Sequence, residues 1–187
     1  MKILTKKQFL ENKEFYIKEI ISGKVFIYPT DTIYGIGCNA TLSSKINKIK
    51  EIKQRENKPF SIIAPNKIWI KENCEIQEKY LEKLPGPITL ILKIKNKNCI
   101  SKEVNNSSNT LGVRIPNNWF SKIIKKANIP FITTSVNISG QKHITNIDEL
   151  KTSIKNKVDY IINSGTLSGN PSTIIDLTSN KVKIIKR

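Results

Sequence analysis

The stretch Lys24–Asn39, KVFIYPTDTIYGIGCN, constrains this chain more than any other. Val25, Phe26, Ile27 and Tyr28 form an apolar, β-prone run. Pro29 halts the strand, because proline has no N–H to donate to a ladder. Three short, oxygen-bearing side chains follow, Thr30, Asp31 and Thr32, and then Tyr34 with Gly35 and Gly37. Two glycines this close predict backbone that bends or lets another group approach. Open α/β sheets present ligand-binding groups in this way, on a polar turn at a strand end. An ordinary strand and loop would have the same composition, so the rest of the chain has to decide.

The rest of the chain alternates strands and helices. Thr5–Ser22 is expected as one helix, opened by a Thr5-x-x-Gln8 capping box and closed by Gly23. Leu42–Gln54 carries Leu42, Ile46, Ile49 and Ile52 at helical spacing. Phe60–Ala64 is a short strand. Residues 66–84 are helical in two pieces, stopped by Pro85-Gly86-Pro87. Ile88–Ile94 and Thr110–Pro116 are strands on either side of a polar stretch, 95–109, expected as a mobile loop. Asn117 or Asn118 caps a helix reaching to about Asn128. Phe131–Thr134 is a strand ending in the polar turn Ser135-Val136-Asn137-Ile138-Ser139-Gly140. Asn146-x-x-Glu149 caps a helix near 147–156, and strands follow at Val158–Ile162, Ile174–Leu177 and Val182–Ile185. The expected fold class is α/β: a twisted, open, mixed sheet with flanking helices, in one domain spanning 1–187.

Composition removes several function classes. No signal-peptide pattern opens the chain and no apolar run reaches the ~18 residues of a bilayer span, so a soluble, cytoplasmic protein is expected, with no membrane partner. Cys38, Cys74 and Cys99 are far apart and odd in number, which reads as free thiols. His143 is the only histidine. A histidine metal cluster is therefore excluded, and His143 itself reads as a surface-loop residue. There is no G-x-x-x-x-G-K-[ST] and no G-x-G-x-x-G, so a nucleotide would be held without a Walker loop or a dinucleotide fingerprint.

The formal net charge is +17, carried mostly by lysines spread along the chain. That spread is a composition bias first, and a means of steering anions second. Only Arg55, Arg114 and Arg187 are arginines, a forked and permanently charged donor where the chain otherwise uses lysine. Four polar clusters follow strands or helices: PTDT, Lys53-x-Arg55, Thr110-x-x-x-Arg114 and Ser135-x-Asn137. Converged on one crevice, they offer hydroxyls, amides and cations with one carboxylate, Asp31. That inventory suits anion binding and not paired-carboxylate catalysis. Arg114 lies in an apolar strand, where an unpaired charge is costly, so it requires an anionic partner. Lys53 and Arg55 are two apart and share no helical face, so the helix must end between them if both are to serve one ligand.

In this order, PTDTIYGIG, KQR, PGPITLIL, LGVRIP, TSVNISG and NPSTIIDLT resemble the YrdC-like family, and within it the single-domain threonylcarbamoyl-AMP synthases. The resemblance runs from about residue 14 to the C-terminus. It implies a twisted sheet with a basic concave face and a chain without the extra C-terminal domain of longer members. It also implies a reaction: L-threonine, bicarbonate and ATP give L-threonylcarbamoyl-AMP and pyrophosphate, for the threonylcarbamoyladenosine of tRNAs that read codons beginning with A. Mg²⁺ would arrive with ATP, held by phosphate and water, with no protein metal site and no tightly bound cofactor.

Carried over by motif, Thr30, Thr32, Arg114, Ser135 and Ser172 would bind L-threonine. Lys53, Arg55, Lys58, Thr110, Asn137, Thr145 and Arg187 would bind ATP, and Lys53 and Arg55 would be catalytic. Three departures stand out. The turn after Arg55 is one residue short, which bears on Lys58. Ile63 replaces a histidine present in many relatives. Lys186 or Arg187 could be the C-terminal cation. The partners implied are tRNA on the basic face and the proteins that receive the threonylcarbamoyl group. Two other readings share the fold: a non-catalytic RNA-binding module, and a carbamoyl-AMP-forming domain of hydrogenase maturation type.

Overall fold

The computed structural model describes residues 1–55 and 57–186. The chain enters on β1 (Lys2–Thr5), a strand that the sequence did not reveal. Its pairing partner lies more than 150 residues away, so nothing local marks it. The helix expected from Thr5 to Ser22 is two helices, α1 (Lys6–Glu11) and α2 (Lys13–Ile21), broken at Asn12. The Thr5–Gln8 capping box forms as expected.

Next comes a hairpin. β2 (Phe26–Pro29) pairs antiparallel with β3 (Tyr34–Gly37), from Phe26↔Gly37 to Pro29↔Tyr34. Pro29 does end the strand, but the glycine segment expected to bend is itself a strand. Tyr34 and Ile36 supply its apolar face, and the glycines lie on the other. The polar PTDT residues are thus the loop of a hairpin.

The helix α3 (Ser43–Lys53) buries Ile46, Ile49 and Ile52 and ends at Gln54 in the left-handed conformation. β4 (Ser61–Ile63), α4 (Lys67–Asn73), α5 (Glu78–Leu81) and β5 (Ile88–Lys93) follow. The polar stretch 95–109 is not a loose loop. Cys99, Ile100 and Val104 are buried within it, and the Asn105 amide donates to the carbonyls of Ser108 and Thr110. Three apolar side chains suffice to pin a run that composition alone marks as solvent-loving.

β6 (Thr110–Arg114) leads to α6 (Trp119–Ala127), capped by Asn118, and to β7 (Phe131–Ser135). The Asn146–Glu149 box also forms, but over one 3-10 turn (Ile147–Glu149), and α7 (Thr152–Lys155) is a separate short helix. β8 (Tyr160–Asn163), β9 (Thr173–Asp176) and β10 (Lys183–Ile185) complete the described chain.

All ten strands join one mixed sheet, ordered β1-β8-β2-β3-β7-β4-β6-β5-β9-β10. Alternation along each strand sends side chains to two cores. On one face Val25, Ile27, Ile36, Ile62 and Ile132 pack with Ile46, Ile49 and Ile52 of α3. On the other Phe26, Tyr28, Ile63 and Phe131 pack with Phe9, Tyr16 and Phe120. Tyr28 stacks on Phe120 at 4.4 Å between centroids. Among the described residues no helix is long and apolar enough to cross a membrane.

Candidate functional site

Beyond that aromatic layer the same face of the sheet loses its bulk. Gly35 sits opposite Ser135, and Ser61 lies between Gly112 and Thr133. Gly112 leaves room there for the Ser61 hydroxyl, since a Cβ on it would stand 2.4 Å from Ser61 Oγ and force that side chain to move. The result is a cavity of about 340 Å³ floored by small polar side chains. Its walls include Thr30, Thr32, Arg55, Arg114, Asn137 and Ser172.

The hairpin loop forms one wall. Thr30 Oγ accepts from the amides of Thr32 and Ile33, at 3.1 and 3.2 Å, and lies 2.8 Å from the Thr32 hydroxyl. A threonine bonding to backbone two and three residues ahead turns the chain tightly. Both hydroxyls are thereby fixed at the cavity. Asp31, between them, points elsewhere. Its carboxylate accepts from Arg114 Nη2 at 2.5 Å and from the Asn117 amide at 2.8 Å. The anionic partner that Arg114 requires is therefore inside the protein. Arg114 also directs Nη1 toward Thr32 Oγ, at 3.5 Å.

α3 ends at Lys53, so the helix does stop between Lys53 and Arg55, but the two do not converge on one cavity. Arg55 lines the cavity, donates to the carbonyls of Lys58 and Pro59, and lies over the Phe60 ring at 5.1 Å. Lys53 does not line the cavity. It is 1% exposed, and its ammonium donates to the carbonyls of Ser135 and Asn137 and to Asn137 Oδ1. Ser135 Oγ donates to the same Oδ1 at 2.6 Å. Lys53 thus ties down the Ser135–Asn137 turn from beneath. Burial, and then the charge of Arg55, push its pKa down to about 7.

Pro171 and Ser172 add a further wall, at the end of a strap formed by residues 164–172. The Ser168 hydroxyl and the Gly169 amide both donate to the Thr32 carbonyl, and the Leu167 amide donates to that of Thr145. Tyr34 Oη donates to the Gly165 carbonyl and accepts from the Ser164 amide. At the strap's end Ser172 Oγ lies 2.8 Å from Thr89 Oγ, inside the cavity. His143, expected on a surface loop, lines the cavity, with Nε2 2.9 Å from the Gly169 carbonyl. No local signal marks His143, because its partner comes from a loop 26 residues on.

Several expected residues lie off this cavity. Lys58 lines an adjoining depression with Lys50 and Gln54, joined to the cavity through Arg55. Thr110 shares a face with Gly112 and Arg114 but lies past the rim, about 13 Å along the strand from Arg114. The Thr145 hydroxyl donates to Glu149 in the capping cluster and does not line the cavity. Arg187 lies outside the described residues, and Lys186 is exposed. Ile63 is fully buried in the aromatic core and offers the cavity nothing. Thr89, Thr133, Thr134 and Ser61 also line the cavity; a lone hydroxyl inside an apolar strand, as at Thr89, was the signal available for them. The three cysteines are free and buried, and burial pushes the Cys38 and Cys74 thiols up to about 12.

The sequence profile of the family named Sua5_yciO_yrdC, described as telomere recombination, matches residues 18–187. A Methanocaldococcus jannaschii protein named "Putative threonylcarbamoyl-AMP synthase" is 39% identical over 182 residues, which cover 92% of this chain and 84% of that protein. The threonylcarbamoyl-AMP synthase of Bos taurus is 28% identical over 87% of this chain and 62% of its own length. Among solved structures, P. abyssi Sua5 complexed with L-threonine superposes with a TM-score of 0.86 at 25% identity, over 97% of this chain and 55% of that one. Escherichia coli YciO has the same fold, with a TM-score of 0.85 at 22% identity over 100% of this chain and 95% of that one. The chain thus spans most of the archaeal relative and little more than half of P. abyssi Sua5. By the profile match over nearly its whole length and the close archaeal relative, the chain belongs to the Sua5/YciO/YrdC family.

Proposed function

We propose that this protein is an L-threonylcarbamoyl-AMP synthase, converting L-threonine, bicarbonate and ATP to L-threonylcarbamoyl-AMP and pyrophosphate. One observation carries the reading. Residues from four separate segments, Thr30 and Thr32, Arg55, Arg114, and Ser135 and Asn137, converge on one cavity whose donors suit anions. The reaction brings together three anions or their equivalents, so oriented donors should supply most of the rate enhancement.

The threonine amine adds to bicarbonate with loss of water, giving a carbamate. A carbamate oxygen then attacks the α-phosphorus of ATP, and pyrophosphate leaves with the bonding electrons. Arg114 and Thr32 would hold the threonine carboxylate. The hydroxyls of Thr30, Ser135 and Ser172 would surround the rest of the amino acid. Arg55 would neutralise the phosphates, with Lys58 beside the outgoing pyrophosphate in the adjoining depression. Asn137 would face the nucleotide, which would run along the open face over Gly112 toward Thr110. Lys53 would act through the Ser135–Asn137 turn it secures. The donor set, hydroxyls and cations with few carboxylates, fits an Mg²⁺ carried in by ATP and held by phosphate oxygens and water, where it offsets phosphate charge. The product's use in tRNA modification implies a cytoplasmic enzyme, downstream transfer proteins and tRNA within reach of the basic surface.

Pyrophosphate release tests the proposal. Release from ATP should need both L-threonine and bicarbonate, and release that ignores threonine would sink it.

A further inference from the structure

Asp31 stands between two cavity-lining threonines, yet it turns away from the cavity to Arg114 and Asn117. Side-chain exposure is 7% for Arg114 and 10% for Asp31, whereas each side chain in the other described ion pairs is at least 30% exposed. A buried ion pair is a weak source of stability, because desolvation offsets the attraction. Its effects on geometry and local potential persist. Both groups are shielded from salt, so their fields reach the neighbouring cavity with little screening.

The pair does two things to Arg114. It fixes the guanidinium plane: Nη2 is held by Asp31, and Nη1 is left beside the Thr32 hydroxyl. Asp31 is itself held by the Asn117 amide, and the loop is clamped a second time by Asn118 Nδ2, which donates to the Pro29 carbonyl at 2.7 Å. The pair also cancels the arginine's charge locally. In a chain of net charge +17, an uncompensated buried arginine would attract any anion, and phosphate most strongly. Beside Asp31, a ligand carrying one negative charge meets directed donors and little net charge. One carrying two or more meets stronger repulsion from the carboxylate.

We propose that Asp31 is a specificity and positioning residue, reserving the Arg114 end of the cavity for a single carboxylate and barring phosphate from it. This rests on the threonine reading above. It explains how one cavity could sort two anionic substrates to opposite ends without a dividing wall.

The test uses the wild-type chain with Asp31→Asn and Asp31→Glu. The Arg114 side-chain N–H signal is identified in nitrogen-resolved NMR by its loss in Arg114→Lys. In wild type, L-threonine should shift that signal and pyrophosphate should not. In Asp31→Asn, pyrophosphate should shift it and compete with L-threonine at least tenfold more strongly than in wild type. Asp31→Glu, which keeps the charge, should restore the exclusion. Pyrophosphate moving the wild-type signal as threonine does would overturn the proposal, even if Asp31→Asn fails to fold. So would unchanged pyrophosphate competition in a folded Asp31→Asn. Threonine without effect on the wild-type signal would remove the substrate reading itself, a distinct failure.

Discussion

Replacing Lys53 with methionine should change how stability depends on pH. The ammonium is 1% exposed, and its pKa is pushed from 10.5 to about 7 by burial and then by Arg55. Below pH 7 the folded and unfolded chains both carry the proton, and the fold bears the full cost of burying the charge. Between about 7 and 10.5 the unfolded chain keeps the proton and the folded chain sheds it. Stability from this group therefore rises with pH, by at most ~1.4 kcal/mol per pH unit and ~5 kcal/mol across the window. Methionine keeps the length and removes the titration. Urea unfolding of both proteins from pH 6.5 to 10 isolates the effect, since other groups cancel in the difference. Wild type should gain on Lys53→Met as pH rises. Parallel stability curves would show that Lys53 stays charged in the fold, and the burial argument would be wrong.

The remaining predictions probe the cavity and its frame. Arg114→Lys should raise KM for L-threonine at least tenfold and leave KM for ATP within twofold, because lysine lacks the planar fork that serves Asp31 and the ligand together; equal losses for both substrates contradict the assignment. Gly37→Ala would place a Cβ 1.9 Å from the Ile132 carbonyl oxygen, a backbone atom that cannot swing aside. It should cost about 3 kcal/mol or more in chemical denaturation, at the upper end of overpacking effects, and an unchanged midpoint would count against the close approach of β3 and β7. His143→Ala removes the ring nitrogen beside the Gly169 carbonyl, a bond of about 1 kcal/mol net. Hydrogen exchange at the amides of Leu167 and Gly169 should quicken several-fold while β2 stays unchanged, and no change there would mean that His143 does not hold the strap.

How much of this site could be read from sequence depends on where each residue's partner lies. Arg114 was legible because its neighbours made an unpaired charge untenable in a strand, which told of a partner without naming it. The structure names it as Asp31, 83 residues away. Lys53 shows the opposite case. Its place beside Arg55 marked a cation in a functional motif, but nothing local showed that α3 would end with one residue beneath the sheet and the other in the cavity. Spacing gave the divergence of the two side chains, and only the fold gave its direction.

The strap and the edge strand β1 were legible least, for one physical reason. β1 has an unremarkable sequence and becomes a strand because β8, more than 150 residues away, completes its ladder. Residues 164–172 are polar with two glycines, and most of the bonds that shape them run to distant residues, among them Thr32, Tyr34, Thr89, His143 and Thr145. Such a segment has no pattern of its own to read. It leads to the wall of a site announced by Thr30 and Thr32, in the loop after β2, and by Ser135, at the end of β7. Local chemistry therefore marked several groups that line the cavity, Thr30, Thr32, Arg55, Arg114, Ser135 and Asn137, together with Lys53, Lys58, Thr110 and Thr145, which lie off it. It missed the placement of His143, the pairing of Asp31 with Arg114, and the strap, which exist only across the assembled sheet.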